Sequence, residues 1–172
     1  MSKQAAPVKA TETIRPMVAA DREPLRVLLE AVSNFTSEEV ETALELVDEW
    51  LKTGEESGYL TYVQEQGDDP AARRITGYVC FGETPLTVGT FDLYWVAVDS
   101  ALRSRGNGQA LLKFAEAEIK NRGGRLFMIE TSSQPTYAGT VAFYQKAGYK
   151  LAARIQEFYN ERDDKLIFSK KL

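Results

Sequence analysis

Hydrophobic positions in the middle of the chain switch from a two-residue spacing to a three-to-four-residue spacing. The run at 92–98 (Asp-Leu-Tyr-Trp-Val-Ala-Val) is aromatic and β-branched, which predicts a buried strand. Across 109–122 the apolar residues recur at helical spacing, and the charged residues face away from them. The pair Gly123-Gly124 is expected to end that helix. This part of the chain therefore predicts a strand, a glycine-containing turn and a helix.

The same spacing rules predict elements on both sides of this unit. Thr36 and Glu39 stand in the arrangement of a capping box that begins one helix, and Asp21 stands as the N-cap of an earlier one. Alternating runs at 59–65 and 75–81 predict an antiparallel pair of strands. The remaining predicted elements are strands at 13–17, 125–131, 149–156 and 165–170 and a helix at about 137–146. The resulting order, β-α-α-β-β-β-α-β-α-β-β, is that of a mixed α/β sandwich.

Composition adds that this is an ordinary globular chain. Apolar residues make up 44% and charged residues 27% of its 172 positions, which suits one folded unit of common size. We expect a single domain at 13–172 after a frayed, polar N-terminal tail at 1–12. No apolar run approaches the length of a membrane span, and no signal-peptide core follows the N-terminus. We therefore expect no membrane as a partner.

The residue types that are missing or rare exclude several kinds of catalytic and metal-binding site. The chain has no histidine and one cysteine, which excludes histidine-based triads and makes us expect no metal site. The single thiol, Cys80, lies in an alternating strand, where we expect a small core residue. The lack of an internal disulfide fits a reducing cytoplasm. The net charge of −4 argues against a nucleic acid as partner.

The turn at 103–108 (Arg-Ser-Arg-Gly-Asn-Gly) is the strongest candidate for chemistry. A glycine turn between a strand and a helix directs several backbone N–H groups and the positive end of the helix dipole at one spot, which suits a phosphate or pyrophosphate. A purely structural turn is the alternative interpretation. Two common phosphate motifs are excluded, because Gln109 follows Gly108 where a P-loop needs lysine, and Leu111 replaces the third glycine of a dinucleotide fingerprint.

Two motifs in this chain resemble those of the GNAT superfamily of acetyl-CoA-dependent N-acetyltransferases. Arg103, Gly106 and Gly108 meet the family pattern Gln/Arg-x-x-Gly-x-Gly/Ala. The run at 142–149 (Ala-Phe-Tyr-Gln-Lys-Ala-Gly-Tyr) is similar to the family signature Phe-Tyr-x-Lys-x-Gly-Phe/Tyr. The resemblance covers roughly 13–172, and the Leu-Tyr-Trp strand with the Glu-Thr-Ser-Ser run is similar to a bacterial subgroup of the family.

The resemblance implies a fold, an activity and a donor site. The fold would be α+β, with a mixed, mostly antiparallel central sheet flanked by helices. The activity would be transfer of an acetyl group from acetyl-CoA, the acyl-donor co-substrate, to a primary amine by direct attack in a ternary complex. The residues implied in donor binding are Val96, Ala97, Val98, Arg103, Ser104, Arg105, Gly106, Asn107, Gly108, Gln109 and Lys146.

The resemblance also implies the catalytic candidates. Tyr144 matches the family tyrosine near the thioester sulfur, where a phenol can give a proton to the leaving thiolate, unless it only packs beside Phe143. Asp92 is the candidate base, because the two-residue period of a strand puts it on the face of Val96. Glu130 on the following strand is its rival. Activation through water is the third alternative, since many family members use no dedicated protein base.

The sequence leaves the acceptor open among small amines, antibiotics, amino acids and the amino groups of peptides and proteins. Phe35, Tyr94, Tyr137 and Tyr159 are expected to line the acceptor site, and a homodimer is common in the family. Two functions other than an acetyltransferase compete. One is a non-catalytic acyl-CoA-binding or regulatory module on the same fold. The other is an interaction domain with an accidental glycine turn, which would have no affinity for the coenzyme.

Overall fold

The computed structural model describes residues 12–67, 73–102 and 105–172. Their elements follow the predicted order, and each strand and helix lies within a few residues of its expected position. In chain order they are β1 (Glu12–Pro16), α1 (Arg22–Glu30), α2 (Ser37–Thr53), β2 (Leu60–Gln66), β3 (Arg74–Glu83), β4 (Thr90–Val98), α3 (Asn107–Asn121), β5 (Leu126–Ser132), α4 (Ala138–Lys146), β6 (Lys150–Asn160) and β7 (Asp163–Lys171). No helix in these ranges is both long and apolar enough to cross a membrane.

One sheet of seven strands, in the order β1-β2-β3-β4-β5-β7-β6, forms the centre of the fold. Its neighbouring strands are antiparallel except β4 and β5, which run parallel. The expectation of a mixed, mostly antiparallel sheet flanked by helices is confirmed. Because a parallel pair needs a crossover, α3 connects β4 to β5 along one face of the sheet.

Each face of the sheet carries its own hydrophobic core. The apolar stripe of α3 packs with Phe81, Phe127 and Tyr144 in what we call the α3-side core. The apolar stripes of α1 and α2 pack with Tyr78 and Ala97 in the α1–α2-side core. Helices cover both faces, so the central strands are buried on both sides, which explains their nearly continuous apolar runs.

The predicted N-cap is confirmed for α2 but not for α1. Thr36 Oγ1 accepts from the backbone N–H of Glu39 at 3.2 Å, and Glu39 Oε2 accepts from the backbone N–H of Thr36 at 2.7 Å, so the predicted capping box is present. Asp21 precedes α1 but makes no capping bond to it. Its carboxylate instead accepts from the Val18 backbone and from Arg15 of β1, whose guanidinium lies within 2.9 Å.

The parallel strands β4 and β5 pair only over their first residues. The register runs from Thr90 opposite Leu126 to Leu93 opposite Ile129, and then the strands part. In the described part of the chain, the second half of β4 consequently has no strand partner on its β5 side. This opening lies at the carboxyl ends of two parallel strands, which is where open α/β sheets place ligands.

A β-bulge at Tyr94 changes the alternation of side chains along β4, so that the residues after it face opposite cores from those expected. Trp95 pairs with Cys80 and Leu93 pairs with Phe81, so Tyr94 is the extra residue in β4. After the bulge Val96 packs in the α3-side core together with Leu93. The expectation that Asp92 and Val96 share a face is therefore wrong, because one inserted residue reverses the two-residue alternation.

Candidate active site

A cleft with a volume of about 1680 Å³ opens where β4 and β5 part. The second half of β4 and the end of β5 form its floor. The loop before α2, the start of α3, one face of α4 and Tyr159 of β6 form its walls. Ten of the proposed site residues line this one cleft: Asp92, Val96, Ala97, Val98, Gly106, Gly108, Gln109, Glu130, Tyr144 and Lys146.

The start of α3 presents an uncapped helix N-terminus to the cleft. Gly106, the N-cap residue, adopts a φ of 94°, which favours glycine, and it offers no side chain to cap the first turn. The first backbone N–H groups of the helix have no intrahelical acceptor, and they carry the positive end of the dipole. A Cβ on Gly108 would lie 3.3 Å from the ring of Phe143 and 3.7 Å from Val98. Glycine thus keeps this wall of the cleft open.

Asn107 carries a buried donor at the same turn but does not line the cleft. Its Nδ2 amide group has no hydrogen-bond partner in the described part of the chain. A buried donor without an acceptor costs free energy unless a ligand or water satisfies it. The donors that face the cleft are the backbone N–H groups at the start of α3, and these fit the diphosphate of coenzyme A. Arg105 is exposed and does not line the cleft, and Arg103 and Ser104 lie outside the described residues.

Tyr144 connects α4 to the α3-side core and to the cleft. It is 5% exposed, and its ring packs against Phe143, Tyr149 and Phe168 with centroid distances of 5.4, 6.2 and 6.2 Å. Burial alone raises the pKa of its hydroxyl well above the ordinary value. The phenol therefore keeps its proton throughout the neutral range, and its ring position is fixed by packing. Lys146 ends the same helix and is exposed at the cleft.

Asp92 and Glu130 face the same side of the sheet at the point where the strands part. Both alternate with residues of the α3-side core (Leu93 and Ile129), so both point away from that core. Asp92 accepts a hydrogen bond from Thr84 Oγ1 at 2.6 Å. Glu130 forms a salt bridge of 2.6 Å with Lys165, although its side chain is 45% exposed. Of these two carboxylates, Asp92 is the one that forms no salt bridge with a described residue.

Aromatic side chains line the cleft beyond the catalytic candidates. Phe35, Tyr94, Tyr137 and Tyr159 all lie there, as the sequence suggested. Phe35 meets Trp95 edge to face, with ring centroids 5.4 Å apart. This wall of the cleft is therefore largely apolar, and its three tyrosines add phenol hydroxyls to it.

Sequence reasoning missed two carboxylates in this wall, Glu39 and Asp163. Glu39 was identified only as a capping residue, yet its second oxygen accepts from the Tyr137 hydroxyl at 3.2 Å. Burial, and then Glu39, raise the pKa of Tyr137 to about 12, which keeps that donor protonated. Asp163 accepts from Ser132 Oγ at 2.5 Å. No local pattern marks either residue as part of a site, because both are brought there by distant parts of the chain.

Cys80 is expected to be inert to thiol reagents in the folded protein. It is fully buried in β3 beside Thr61, and burial raises the pKa of its thiol to about 12. At pH 8 the thiolate is therefore almost absent and out of reach. A colorimetric disulfide reagent should detect no thiol in the native state and one equivalent in guanidinium chloride. Rapid labelling of the native protein would contradict this placement.

A family model and a solved structure of 38% identity both identify the GNAT family. The model of the acetyltransferase (GNAT) family matches residues 25–149. A GNAT-family structure from Desulfovibrio desulfuricans is 38% identical, covers 94% of this chain and 99% of its own, and superposes with a TM-score of 0.87. No curated protein gives a significant match.

More distant structures share the fold alone. The ribosomal-protein-S18-alanine N-acetyltransferase of Escherichia coli is 20% identical, with a TM-score of 0.72 and coverage of 94% of both chains. A GNAT-family acetyltransferase of Elizabethkingia anophelis, solved with acetyl-CoA bound, is 22% identical, with a TM-score of 0.67 and coverage of 94% and 98%.

Proposed function

Because the chain belongs to the GNAT acetyltransferase family, we propose that it transfers an acetyl group from acetyl-CoA to a primary amine. The observation that carries this proposal is the cleft between β4 and β5. It joins a helix N-terminus whose N-cap residue is a glycine, a strand edge that no described strand pairs with, a buried protonated phenol and a carboxylate that forms no salt bridge with a described residue. A domain that only bound partners would need none of these groups at one opening.

Donor binding is assigned to the segment 103–109 and to β4. The backbone N–H groups at the start of α3 hold the diphosphate. The unpaired edge of β4 over Val96, Ala97 and Val98 offers backbone groups to the amide-containing arm of the coenzyme, as a strand partner would. When bound, acetyl-CoA supplies an activated thioester at the centre of the cleft. Lys146 adds positive charge beside it.

The proton transfers are assigned to Asp92 and Tyr144. The attacking amine loses a proton to Asp92, through water, because this short carboxylate points away from the face that Val96 occupies. Glu130 is the alternative acceptor of that proton, weakened in this role by its salt bridge to Lys165. As the carbon–sulfur bond breaks, the Tyr144 hydroxyl donates a hydrogen bond and then its proton to the sulfur, and solvent reprotonates the phenolate.

Direct attack is favoured over a covalent acetyl-enzyme. The one cysteine of the chain, Cys80, is buried in β3 and does not line the cleft. With a pKa near 12 its thiol is a poor nucleophile at neutral pH. The acetyl group therefore passes to the acceptor in a complex that contains both substrates.

Acetyl-CoA is expected to stabilise the folded protein measurably. At about one hundred times its dissociation constant a ligand adds about 2.7 kcal/mol to the free energy of unfolding. Thermal unfolding with and without acetyl-CoA measures this gain, and an assay of thiol release with added amines then tests transfer. No shift at millimolar acetyl-CoA would refute the donor site. A shift without amine-dependent thiol release would indicate the non-catalytic binding module instead.

A further inference from the structure

Three carboxylates surround one end of the cleft. Glu39 of α2, Glu130 of β5 and Asp163 of β7 all line it, and all three add to burial in raising the pKa of Tyr159. Among the residues that the structure describes, the one cation paired with these carboxylates is Lys165, which forms a salt bridge with Glu130. Among the described lining residues Lys146 is the single lysine or arginine. Lys146 ends α4, whereas Tyr137 precedes its first residue. The rise of the nine helical residues between these positions separates them by roughly 13 Å along the helix axis.

The positions of two of these carboxylates are fixed by hydrogen bonds. Glu39 uses one oxygen for the capping box and the other for the Tyr137 hydroxyl. Asp163 is held by Ser132. Carboxylates held in this way keep their direction, and no described lysine or arginine pairs with either of them, so they offer a preorganised site for a cation.

An irregular part of β6 brings an aromatic ring to the same place. Pairing with β7 breaks off at Ile155 and resumes at Asn160, and Glu157 between them has a φ of 50° although it is not glycine. The buried carboxylate of Asp164 holds this bulge by accepting from the backbone N–H of Glu157 at 2.9 Å. The bulge carries Tyr159 into the cleft wall. Strained backbone of this kind is found where a side chain must be placed for function.

From this geometry, and resting on the acetyl transfer proposed above, we propose that the acceptor is a small aliphatic polyamine. Such a molecule has two or more ammonium groups separated by methylene chains. One nitrogen must lose its proton to attack the thioester, while another keeps its charge and binds Glu39 and Asp163. The methylene groups between them pack against the rings of Phe35, Tyr137 and Tyr159.

Other acceptors fit these groups less well. A free amino acid brings a carboxylate, and the acidic end of the cleft offers it no unpaired cation among the described lining residues. A simple monoamine has no second charge for the carboxylates to bind. The balance of the reaction is unchanged: one N–H and one C–S bond break, one amide bond forms, and the thiol takes the proton.

A matched series of amines tests the selectivity. Thiol release is measured at saturating acetyl-CoA with butylamine and with 1,4-diaminobutane, and then with a linear triamine. We expect kcat/KM for the diamine to exceed that of the monoamine by about tenfold, beyond the statistical advantage of two equivalent amines, because a charged hydrogen bond is added. Equal values for the two amines would overturn the proposal. So would a clear preference for an aminoglycoside or for the amine of a peptide.

Two variants that remove a negative charge test whether Glu39 and Asp163 bind the second ammonium group. Glu39→Gln keeps the capping box, since glutamine also serves there, and Asp163→Asn keeps an oxygen for Ser132. Each should raise the KM for the diamine about tenfold and leave the KM for butylamine unchanged. Glu45→Gln makes the same charge change on an exposed position of α2 outside the cleft and should change neither KM. Equal losses for both amines would contradict the assignment.

The outcomes separate this proposal from the one on which it depends. If no amine of any kind releases thiol from acetyl-CoA, acetyl transfer itself fails, and the polyamine proposal fails with it. If amines are acetylated without preference for a second charge, only the polyamine proposal fails. A binding measurement adds an independent result: with coenzyme A present, the diamine should raise the unfolding midpoint of the wild type more than that of Glu39→Gln.

Discussion

Replacing Tyr144 with phenylalanine is expected to lower kcat by about 100- to 10,000-fold, the usual contribution of a positioned general acid. The change removes one oxygen from a side chain that packing holds in place. Burial alone shifts the pKa of this phenol, so no charge or hydrogen bond from the described residues depends on it. The thiolate would then have to leave without a proton donor. Steady-state kinetics with a saturating amine measures the loss.

A neighbouring tyrosine provides the control for this prediction. Tyr149 is also buried, its ring centre is 6.2 Å from that of Tyr144, and its hydroxyl donates to Glu116 at 3.0 Å. It does not line the cleft. Tyr149→Phe should therefore cost about 1 kcal/mol of stability through the lost hydrogen bond and leave kcat nearly unchanged. Acetyl-CoA should stabilise both variants like the wild type. Full activity of Tyr144→Phe would remove Tyr144 from the mechanism.

Replacing Gly108 with tryptophan is expected to abolish the stabilisation by acetyl-CoA, a loss of about 2.7 kcal/mol at the ligand excess given above. A Cβ at this position already lies 3.3 Å from Phe143, so a large ring must occupy the cleft beside the helix N-terminus. It would cover the backbone N–H groups that are assigned to the diphosphate. Thermal unfolding at increasing acetyl-CoA concentration checks the result.

The same helix supplies the matched variant. Ala117 lies on the exposed face of α3, away from the cleft, so Ala117→Trp adds the same ring to the same helix. It should keep the full response to acetyl-CoA. Comparing the two variants without ligand separates lost folding from lost binding. An unchanged midpoint shift in folded Gly108→Trp would show that the coenzyme binds elsewhere.

The order of elements and the apolar stripe of α3 could be predicted from the sequence, because both depend on local periodicity. The apolar stripe of α3 has all its members buried as expected, and the capping box of Thr36 and Glu39 is present. The run at 92–98 is indeed a central strand between two cores. Ten of the fourteen proposed site residues line one cleft, because their motifs lie at the ends of neighbouring elements.

The tertiary structure decided what depends on contacts between distant residues. The bulge at Tyr94 follows from the hydrogen-bond register with β3, which no pattern within β4 encodes, so the facing of Asp92 was mispredicted. The bond between Tyr137 and Glu39 joins positions 98 residues apart. Asp163 and Tyr159 enter the cleft only because β6 and β7 fold back onto β5.

The division has a physical reason. Side-chain periodicity, capping residues and glycine turns act over a few residues, so the sequence by itself determined the strands, the helices and the donor-binding motif. Strand register, the splitting of β4 from β5 and the gathering of carboxylates are set by backbone pairing and packing across the whole sheet. The tertiary structure alone therefore decided the shape and charge of the cleft end that we assign to the acceptor.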